Sequence, residues 1–266
     1  MSSALDRGRA MLAEAIMWDY ESDWIPRGLE RVERDDLLMW RRLNGFRAQA
    51  RWNNRVSWVR TTTALIDDVI DEVFDFFGDT PFTWVIGPSS TPGDLAERAA
   101  RRGLADTGDG DLLSAELPIM GLRSSADVRI VEVVDARIAR AGIRLAHPDS
   151  SAEEIDAMVA ERLAYLRHPG RRGGFLVAFV GDEPVANAGY RYSADGRTVY
   201  LNGAETVERW RRRGIYQSLV GYRVARALER GCHYAAIRAR RDTSLPILMK
   251  RGFIDHGHLP IYARVA

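Results

Sequence analysis

The chain has 266 residues, enough for one large domain or for two of about 130 residues each. Hydrophobic residues make up 46% and charged residues 28%, as in ordinary water-soluble proteins. A net charge of +1 excludes a global attraction to nucleic acid or membranes, and one cysteine excludes a disulfide framework or an all-cysteine metal site. No apolar run is long enough to span a membrane, so we expect a cytoplasmic protein without membrane partners. We also expect a monomer or homodimer without nucleic-acid partners.

The first half of the chain alternates helical and extended patterns. The pattern predicts helices over 5–20 and 29–43, and Asn44 and Gly45 end the second of these. A strand follows over 47–60, and then a helix over 64–77 that Thr61, Thr62 or Thr63 caps. The remaining elements are a strand over 82–86, a helix over 93–102 with Thr91 as N-cap, and an extended segment over 112–122. Trp52 and Trp58 are either core residues or the lining of a ligand cleft. Residues 123–127 are polar and lack periodicity, which predicts a boundary between domains 1–124 and 125–266.

The second half predicts an antiparallel meander that leads into a long helix. Its elements are a strand over 128–134, a short helix over 136–141, a helix ending at 167, strands over 175–180, 185–192 and 198–207, a helix over 215–228, a strand over 233–239, a helix over 245–251 and a hairpin over 254–265. Ser150-Ser151 with Glu153-Glu154 is the signature of a helix N-terminus. A right-handed crossover would make strand 233–239 parallel to the strand from Thr198.

The turn Arg211-Arg212-Arg213-Gly214-Ile215-Tyr216 lies between a strand and the long helix. A helix N-terminus carries unpaired N–H groups and the positive end of the helix dipole, and a glycine lets the backbone approach a ligand closely. The turn is therefore either a phosphate or pyrophosphate site or an ordinary turn with solvated arginines. The apolar spacing of the helix predicts that Arg223, Arg226, Glu229 and Arg230 point outward.

The two halves share a weak internal repeat. Residues 84–104 and 235–253 both read as strand, polar turn, short helix and Arg-Gly followed by Leu or Phe, and an amphipathic helix precedes each. Thr61-Thr62-Thr63 stands in the first copy where the arginine and glycine turn stands in the second. We therefore expect one phosphate cradle per chain.

The order of elements, the turn Arg211 to Tyr216 and the segment Arg251-Gly252-Phe253 resemble the GNAT superfamily of N-acetyltransferases over about residues 125–266. The family signature is Arg/Gln-x-x-Gly-x-Gly/Ala, and Tyr216 departs from its last position. Residues 84–90 and the helix to Gly103 resemble the partner half of tandem GNAT proteins. The resemblance implies an α/β (α+β) fold of two GNAT-like halves, each a mixed, mostly antiparallel sheet flanked by helices. It also implies a splayed parallel strand pair in the C-terminal half and a degenerate N-terminal half that shapes the substrate site.

The resemblance also implies acetyl transfer from coenzyme A to the amine of a small molecule. The pyrophosphate would bind the turn, and the pantetheine would pair with the strand edge beside the helix. The residues implied in coenzyme A binding are Thr206, Val207, Arg211, Arg212, Arg213, Gly214, Ile215, Tyr216 and Ser244.

Direct transfer needs a base for the amine and an acid for the departing thiolate. Glu205 is the candidate base because it lies late in the central strand, although a solvent-facing or substrate-pairing carboxylate is the alternative. Asn202 would orient water or substrate, or bond at the core edge. In the family a tyrosine acts as the general acid, and here the residue at its position is Leu248. Tyr216, Tyr262 or His256 could take its place. We name Tyr262 as the catalytic candidate.

Two other functions remain open from the sequence. Leu248 at the acid position also fits a protein that binds acyl-coenzyme A without turnover and regulates a partner. The arginines at 209, 211–213, 238, 240 and 241 also fit an aminoacyl-tRNA-dependent transferase, although the net charge argues against it. Cys232 is predicted to be a buried thiol and the histidines lack metal-binding spacing, so we expect no metal.

Overall fold

The computed structural model describes residues 4–18, 24–43 and 53–264, which form two compact units. Among the described residues, the first unit contains 4–18, 25–43, 53–112 and 256–264, and the second contains residue 24 and 113–255. The division thus falls at 112/113 and not at 124/125, and the last strand of the chain belongs to the first unit. None of the helices within these ranges is long and apolar enough to cross a membrane.

The first unit is built on a six-stranded sheet with the order β1-β2-β3-β4-β14-β5. Its elements are α1 (Ala4–Trp18), β1 (Leu29–Glu33), β2 (Leu37–Arg42), β3 (Arg55–Val59), α2 (Ile66–Phe77), β4 (Thr83–Val85), α3 (Leu95–Arg101), β5 (Leu104–Asp106) and β14 (Ile261–Arg264). The amphipathic helix α2 buries its apolar face, from Ile66 to Phe77, in a core that also contains Trp84 and Leu95.

The predicted helix over 29–43 is wrong, because this segment forms the antiparallel pair β1 and β2. Strand β2 lies between β1 and β3, and its residues Leu37 to Trp40 are all buried, so both faces of the sheet are covered at this strand. A strand covered on both faces loses the two-residue alternation that identifies strands in a sequence. The turn before it is closed by reciprocal backbone hydrogen bonds between Arg34 and Leu37. The predicted stop at Asn44 and Gly45 lies outside the described residues.

Two predicted helix caps are also wrong. Helix α2 begins at Ile66, and its N-cap Leu65 offers no side-chain hydrogen bond, so none of the three threonines caps it. Helix α3 begins at Leu95 after the N-cap Asp94, because Thr91 instead donates its hydroxyl to the carbonyl of Thr61 at 3.0 Å.

The second unit contains the predicted meander and the crossover helix. Its sheet has eight strands, in the order β13-β6-β12-β10-β9-β8-β7, with β11 paired to β9. The elements are β6 (Gly110–Glu116), β7 (Val128–Glu132), α4 (Ala136–Ala146), α5 (Ala152–Arg167), β8 (Gly173–Val180), β9 (Glu183–Tyr192), β10 (Thr198–Tyr200), β11 (Ala204–Thr206), α6 (Ile215–Glu229), β12 (Tyr234–Arg240), α7 (Ser244–Met249) and β13 (Ile254–His258).

Helices cover both faces of this sheet. Val177 and Phe179 of β8 pack with α4 and α5, whereas the alternate residues Leu176 and Ala178 pack with α6. Helix α5 starts at a complete capping box, in which Ser151 and Glu154 bond each other's backbone N–H groups, as predicted. The strand alternation therefore assigns each side chain of the meander to one face or the other.

The predicted hairpin over 254–265 is wrong, because its two strands belong to different sheets. Strand β14 lies between β4 and β5 and pairs antiparallel with both. It satisfies two strand edges at once, more backbone hydrogen bonds than a hairpin partner would supply. The predicted end at Val265 lies outside the described residues.

Candidate active site

The site is built where the parallel strands β10 and β12 stop pairing. Thr198 to Tyr200 pair with Tyr234 to Ala236, and the N–H of Leu201 donates a last hydrogen bond to Ala236 at 2.9 Å. The chain then continues as β11, which pairs with β9 and not with β12. The parallel pairing is confirmed, but the continuous strand predicted over 198–207 is interrupted.

The interruption is a bulge, in which three residues of this segment lie opposite two of β9. The N–H of Gly189 lies 2.8 Å from the carbonyl of Asn202 and 3.1 Å from that of Gly203. Gly203 has a φ of 29°. The strand therefore changes direction at Asn202 and Gly203 and opens a gap beside β12.

The arginine turn follows directly and starts helix α6. Arg212 has a φ of 66° and Gly214 a φ of 80°, and Gly214 is the N-cap of α6 without any side-chain cap. The side chains of Arg211, Arg212 and Arg213 are exposed. Arg211 donates to the carbonyl of Thr206 at 3.3 Å, and the guanidinium of Arg213 lies 4.6 Å from the centre of the Trp210 ring. Three exposed arginines thus directly precede a helix N-terminus that has no side-chain cap among the described residues.

The space above Gly214 is open on the protein side. A Cβ atom built on Gly214 would meet only the Cβ of Ser125, at 4.0 Å. Ser125 lies there because its N–H donates to the hydroxyl of Ser218 on the first turn of α6, at 2.9 Å. The polar segment around residue 125, predicted as a domain boundary, therefore borders the cradle.

The two other residues proposed for the strand edge are partly engaged. The N–H of Val207 donates to the carbonyl of Val185 at 2.9 Å, so it faces β9 and is not free for a ligand. The carbonyl of Thr206 accepts the bond from Arg211. Ile215 is 2% exposed and packs in the core, so only its backbone faces the cradle.

Glu205 is exposed and lies opposite Asn187 in the antiparallel pair of β11 and β9. Paired residues project to the same face of a sheet, here the face covered by α4, since the Cβ of Asn187 would lie 3.7 Å from a Cβ on Gly142. The amide nitrogen of Asn187 is buried and has no hydrogen-bond partner among the described residues. The sequence analysis identified Glu205 but missed Asn187. The signal that could have identified Asn187 is its position as a polar residue within an apolar strand.

Tyr216 packs against the hydrophobic cluster that contains Leu248. Leu245 packs against the same cluster, and Leu248 is fully buried. Burial raises the pKa of Tyr216 and the charge of Arg223 opposes the rise, while the buried phenol oxygen has no hydrogen-bond partner among the described residues. The phenol is therefore protonated at neutral pH. Ser244 accepts a hydrogen bond from the N–H of Arg240 at 2.9 Å, which closes the turn before α7.

Arg223 lies on α6 two helical turns after Tyr216. Its exposure is 1%, so the prediction that it points outward is wrong. It donates to the carbonyl of Leu219 and, with Nη1, to the carbonyls of Gly189 at 3.0 Å and Asn202 at 3.4 Å. Its Nη2 has no partner among the described residues. Burial lowers the pKa of Arg223 to about 10, so it remains a cation at neutral pH. A buried positive charge therefore lies directly behind the bulge.

The remaining candidates lie in the first unit or in the core. Tyr262 lies on β14 in the first unit, opposite Trp84 and Asp106, and His256 lies on the part of β13 that the division assigns to the first unit. Burial, and next the charge of Asp106, raises the pKa of Tyr262. Cys232 is buried and burial raises its pKa, as expected of an inert thiol. Among residues 4–18, 24–43 and 53–264, no three His, Cys, Asp or Glu side chains are grouped to hold a metal.

Comparison with known structures identifies the fold. A GCN5-related N-acetyltransferase from Kribbella flavida is similar with a TM-score of 0.68 and 17% identity, over 97% of this chain and 95% of that one. A tandem GNAT protein from the clavulanic acid biosynthesis pathway is similar with a TM-score of 0.65 and 13% identity, over 90% and 84%. A GCN5-related N-acetyltransferase from Sphaerobacter thermophilus has a TM-score of 0.60 and 17% identity, over 94% and 84%. The chain therefore has the fold of a tandem GNAT protein, with two GNAT-like halves.

Comparisons of the sequence alone add little. A family model described as Rv0078B-related antitoxin matches residues 134–188, from the end of β7 to the middle of β9, which is too short a segment to assign the chain to that family. No curated protein matches the sequence.

Proposed function

We propose that this protein, which has the tandem GNAT fold, transfers an acetyl group from coenzyme A to the amine of a small molecule by direct transfer. The observation that carries the proposal is the bulge at Asn202 and Gly203, where β11 leaves β12 beside a helix that starts at the uncapped Gly214. A free strand edge suits the amides of a pantetheine arm, and a basic helix N-terminus suits a pyrophosphate. These two features fit the two ends of one ligand, coenzyme A.

The cradle residues fit the anionic end of coenzyme A. The backbone N–H groups from Arg212 to Tyr216 would bind the pyrophosphate, and Gly214 would permit close approach because no side chain fills the space above it. The exposed guanidinium groups of Arg211 and Arg213 would add charge-assisted hydrogen bonds. Thr206 would contribute its strand edge, whereas Val207 would contribute only packing.

When bound, acetyl-coenzyme A supplies the acetyl group as a thioester. Glu205 would accept the proton of the attacking amine, directly or through a water that the unpartnered amide of Asn187 orients. Tyr216 would donate its proton to the sulfur as the carbon–sulfur bond breaks, and the neighbouring cation Arg223 would stabilise the resulting phenolate. Tyr216 is a better candidate than Tyr262 because it packs in one cluster with Leu248 in the same unit.

Arg223 also bears on the thioester. Its bond to the carbonyl of Asn202 polarises the peptide group that joins Asn202 to Gly203. A polarised peptide makes its own N–H a stronger donor, and a backbone N–H at the bulge is what would stabilise the oxyanion that develops during transfer. We therefore treat Arg223 as a positioning residue for the bulge.

The test is thiol release from acetyl-coenzyme A by the full chain, measured across a panel of primary amines and diamines. We expect release that depends on the acceptor and that exceeds the rate without acceptor. A protein that binds coenzyme A by calorimetry but releases no thiol with any amine would instead support the second candidate, a non-catalytic acyl-coenzyme A sensor. The buried Leu248 at the acid position is the observation that favours this alternative.

A further inference from the structure

A second cavity lies at the opposite end of α6 from the arginine turn. Its larger part has a volume of about 550 Å³ and is lined by Tyr190 and Tyr192 of β9, Gly173 of β8 and the last turn of α6. An adjoining part of about 250 Å³ shares Glu132, Arg171 and Tyr190 with it and extends towards α5. Along the axis of α6 this cavity is about 20 Å from Gly214, at 1.5 Å per residue.

The larger part carries an excess of positive charge. Arg171, Arg172, Arg226 and Arg230 line it, against two carboxylates, Glu132 and Glu229. Both carboxylates are held by the same arginine, since Arg226 lies 3.4 Å from Glu132 and 2.8 Å from Glu229. Among the described residues, the lining therefore has four cations and two anions, a net charge of +2.

Two of these arginines have no carboxylate partner among the described residues. Arg171 donates to the carbonyl of Gly173 at 3.0 Å, and Arg230 lies 4.7 Å from the centre of the Tyr192 ring. Each contact fixes the direction of the side chain and leaves other guanidinium N–H groups available. A planar guanidinium held in place is suited to bidentate bonds with a carboxylate.

The smaller part is lined on the other side by apolar side chains. Leu163 and Leu166 come from α5, Phe175 from β8, and Val133 and Val134 from the segment after β7; Arg167 at the end of α5 also lines this part. Val134 is 73% exposed and lies at the rim of this part. The cavity thus has a cationic part and an apolar part that meet at Tyr190.

We propose that this cavity binds an amphipathic carboxylate, with its anionic group against Arg171 and Arg230 and its alkyl or aromatic group against Leu163, Leu166 and Val134. A combined site of this size holds a small organic anion. Because the cavity is separate from the coenzyme A cradle, the ligand would act as a second effector or as a regulator of the transfer site.

The experiment is a ligand-detected NMR titration of the full chain with hexanoate. Hexanamide is the neutral isostere and acetate lacks the apolar chain. We expect saturable hexanoate binding, at least about tenfold tighter than that of hexanamide or acetate. Arg230→Gln and Arg171→Gln should each weaken hexanoate binding about tenfold without changing hexanamide binding. Leu166→Asn should weaken both ligands, and the exposed Arg137→Gln on α4 is the matched control that should change neither.

Several outcomes would overturn the proposal. These are no saturable hexanoate binding, equal affinity for hexanamide, unchanged hexanoate affinity in both arginine variants, and displacement of hexanoate by coenzyme A, which would place the anion in the transfer site. Both arginines are exposed, so their replacement leaves the core intact. If Leu166→Asn does not fold, as judged by thermal unfolding, Leu163→Asn tests the apolar part in its place.

Discussion

The phosphate cradle can be tested by placing a single negative charge at Gly214. Gly214→Asp and Gly214→Asn introduce side chains of nearly the same shape, and both residue types tolerate the left-handed backbone that the φ of 80° requires. The nearest atom to a new Cβ, apart from the chain neighbours, is 4.0 Å away, so there is space for either side chain to start here. The pair therefore differs by one charge, directed at the position of the proposed pyrophosphate.

The magnitude follows from Coulomb's law. At a separation of about 5 Å and an effective dielectric constant of about 20, one pair of like charges costs about 3 kcal/mol, and partial screening at this exposed turn reduces this to about 2–3 kcal/mol. Gly214→Asp should therefore bind coenzyme A about 30- to 150-fold more weakly than Gly214→Asn. The difference should shrink at high salt, because screening weakens the repulsion.

The assay is isothermal titration calorimetry of both variants with coenzyme A. Pantetheine, which lacks the phosphates, is the matched control ligand and should bind both variants equally. If Gly214→Asp and Gly214→Asn bind coenzyme A with the same affinity, the pyrophosphate does not lie at this turn and the reasoning is refuted. If pantetheine distinguishes the variants, the charge acts on the arm or on folding and not on the phosphates.

Three other predictions concern catalysis and stability. Tyr216→Phe should lower the rate of thiol release about 100-fold without changing the affinity for coenzyme A, and an unchanged rate would exclude its role as the acid. Burial opposes the ionisation of Asp106, but its hydrogen bonds with His258 and two backbone N–H groups lower its pKa, so this stabilisation is present above about pH 4 and lost as the pH falls through the depressed pKa. Asp106→Asn should therefore flatten the dependence of unfolding free energy on pH between about 2 and 5, as measured by urea denaturation. Ser151→Ala should cost about 1 kcal/mol in the same assay because it removes the capping box, whereas Ser150→Ala, outside the box, should cost little.

The sequence predicted most of the second unit because its signals are local. The capping box before α5, the meander of β8 to β10 and the glycine after α6 each involve residues close together in the chain. Helix propensity, hydrogen-bonding side chains and turn residues act over this range. The start of α6 at Gly214 follows from the same kind of signal.

The errors arise where distant segments decide the structure. Strand β2 is a strand because β1 and β3 cover its edges and both its faces are buried, and its continuous apolar run does not distinguish it from a helix. Strand β14 pairs with β4 and β5, which lie more than 150 residues earlier in the chain, so no local pattern identifies its partners. The interruption between β10 and β11 likewise depends on the register with β9.

Arg223 shows a different kind of error, since its position was predictable but its residue type was misleading. It is spaced four residues from Leu219 and from Ala227, both fully buried, so the helical period places it on the buried face. An arginine is rarely buried without an acidic partner, because desolvating the charge costs several kcal/mol. Replacing a buried charge by an apolar side chain of similar volume is often neutral or stabilising, so stability alone does not explain why this position carries a cation. The proposed function would explain it, because Arg223 contacts the carbonyls of the bulge and its charge acts on Tyr216, the two places where negative charge would develop in the proposed transfer.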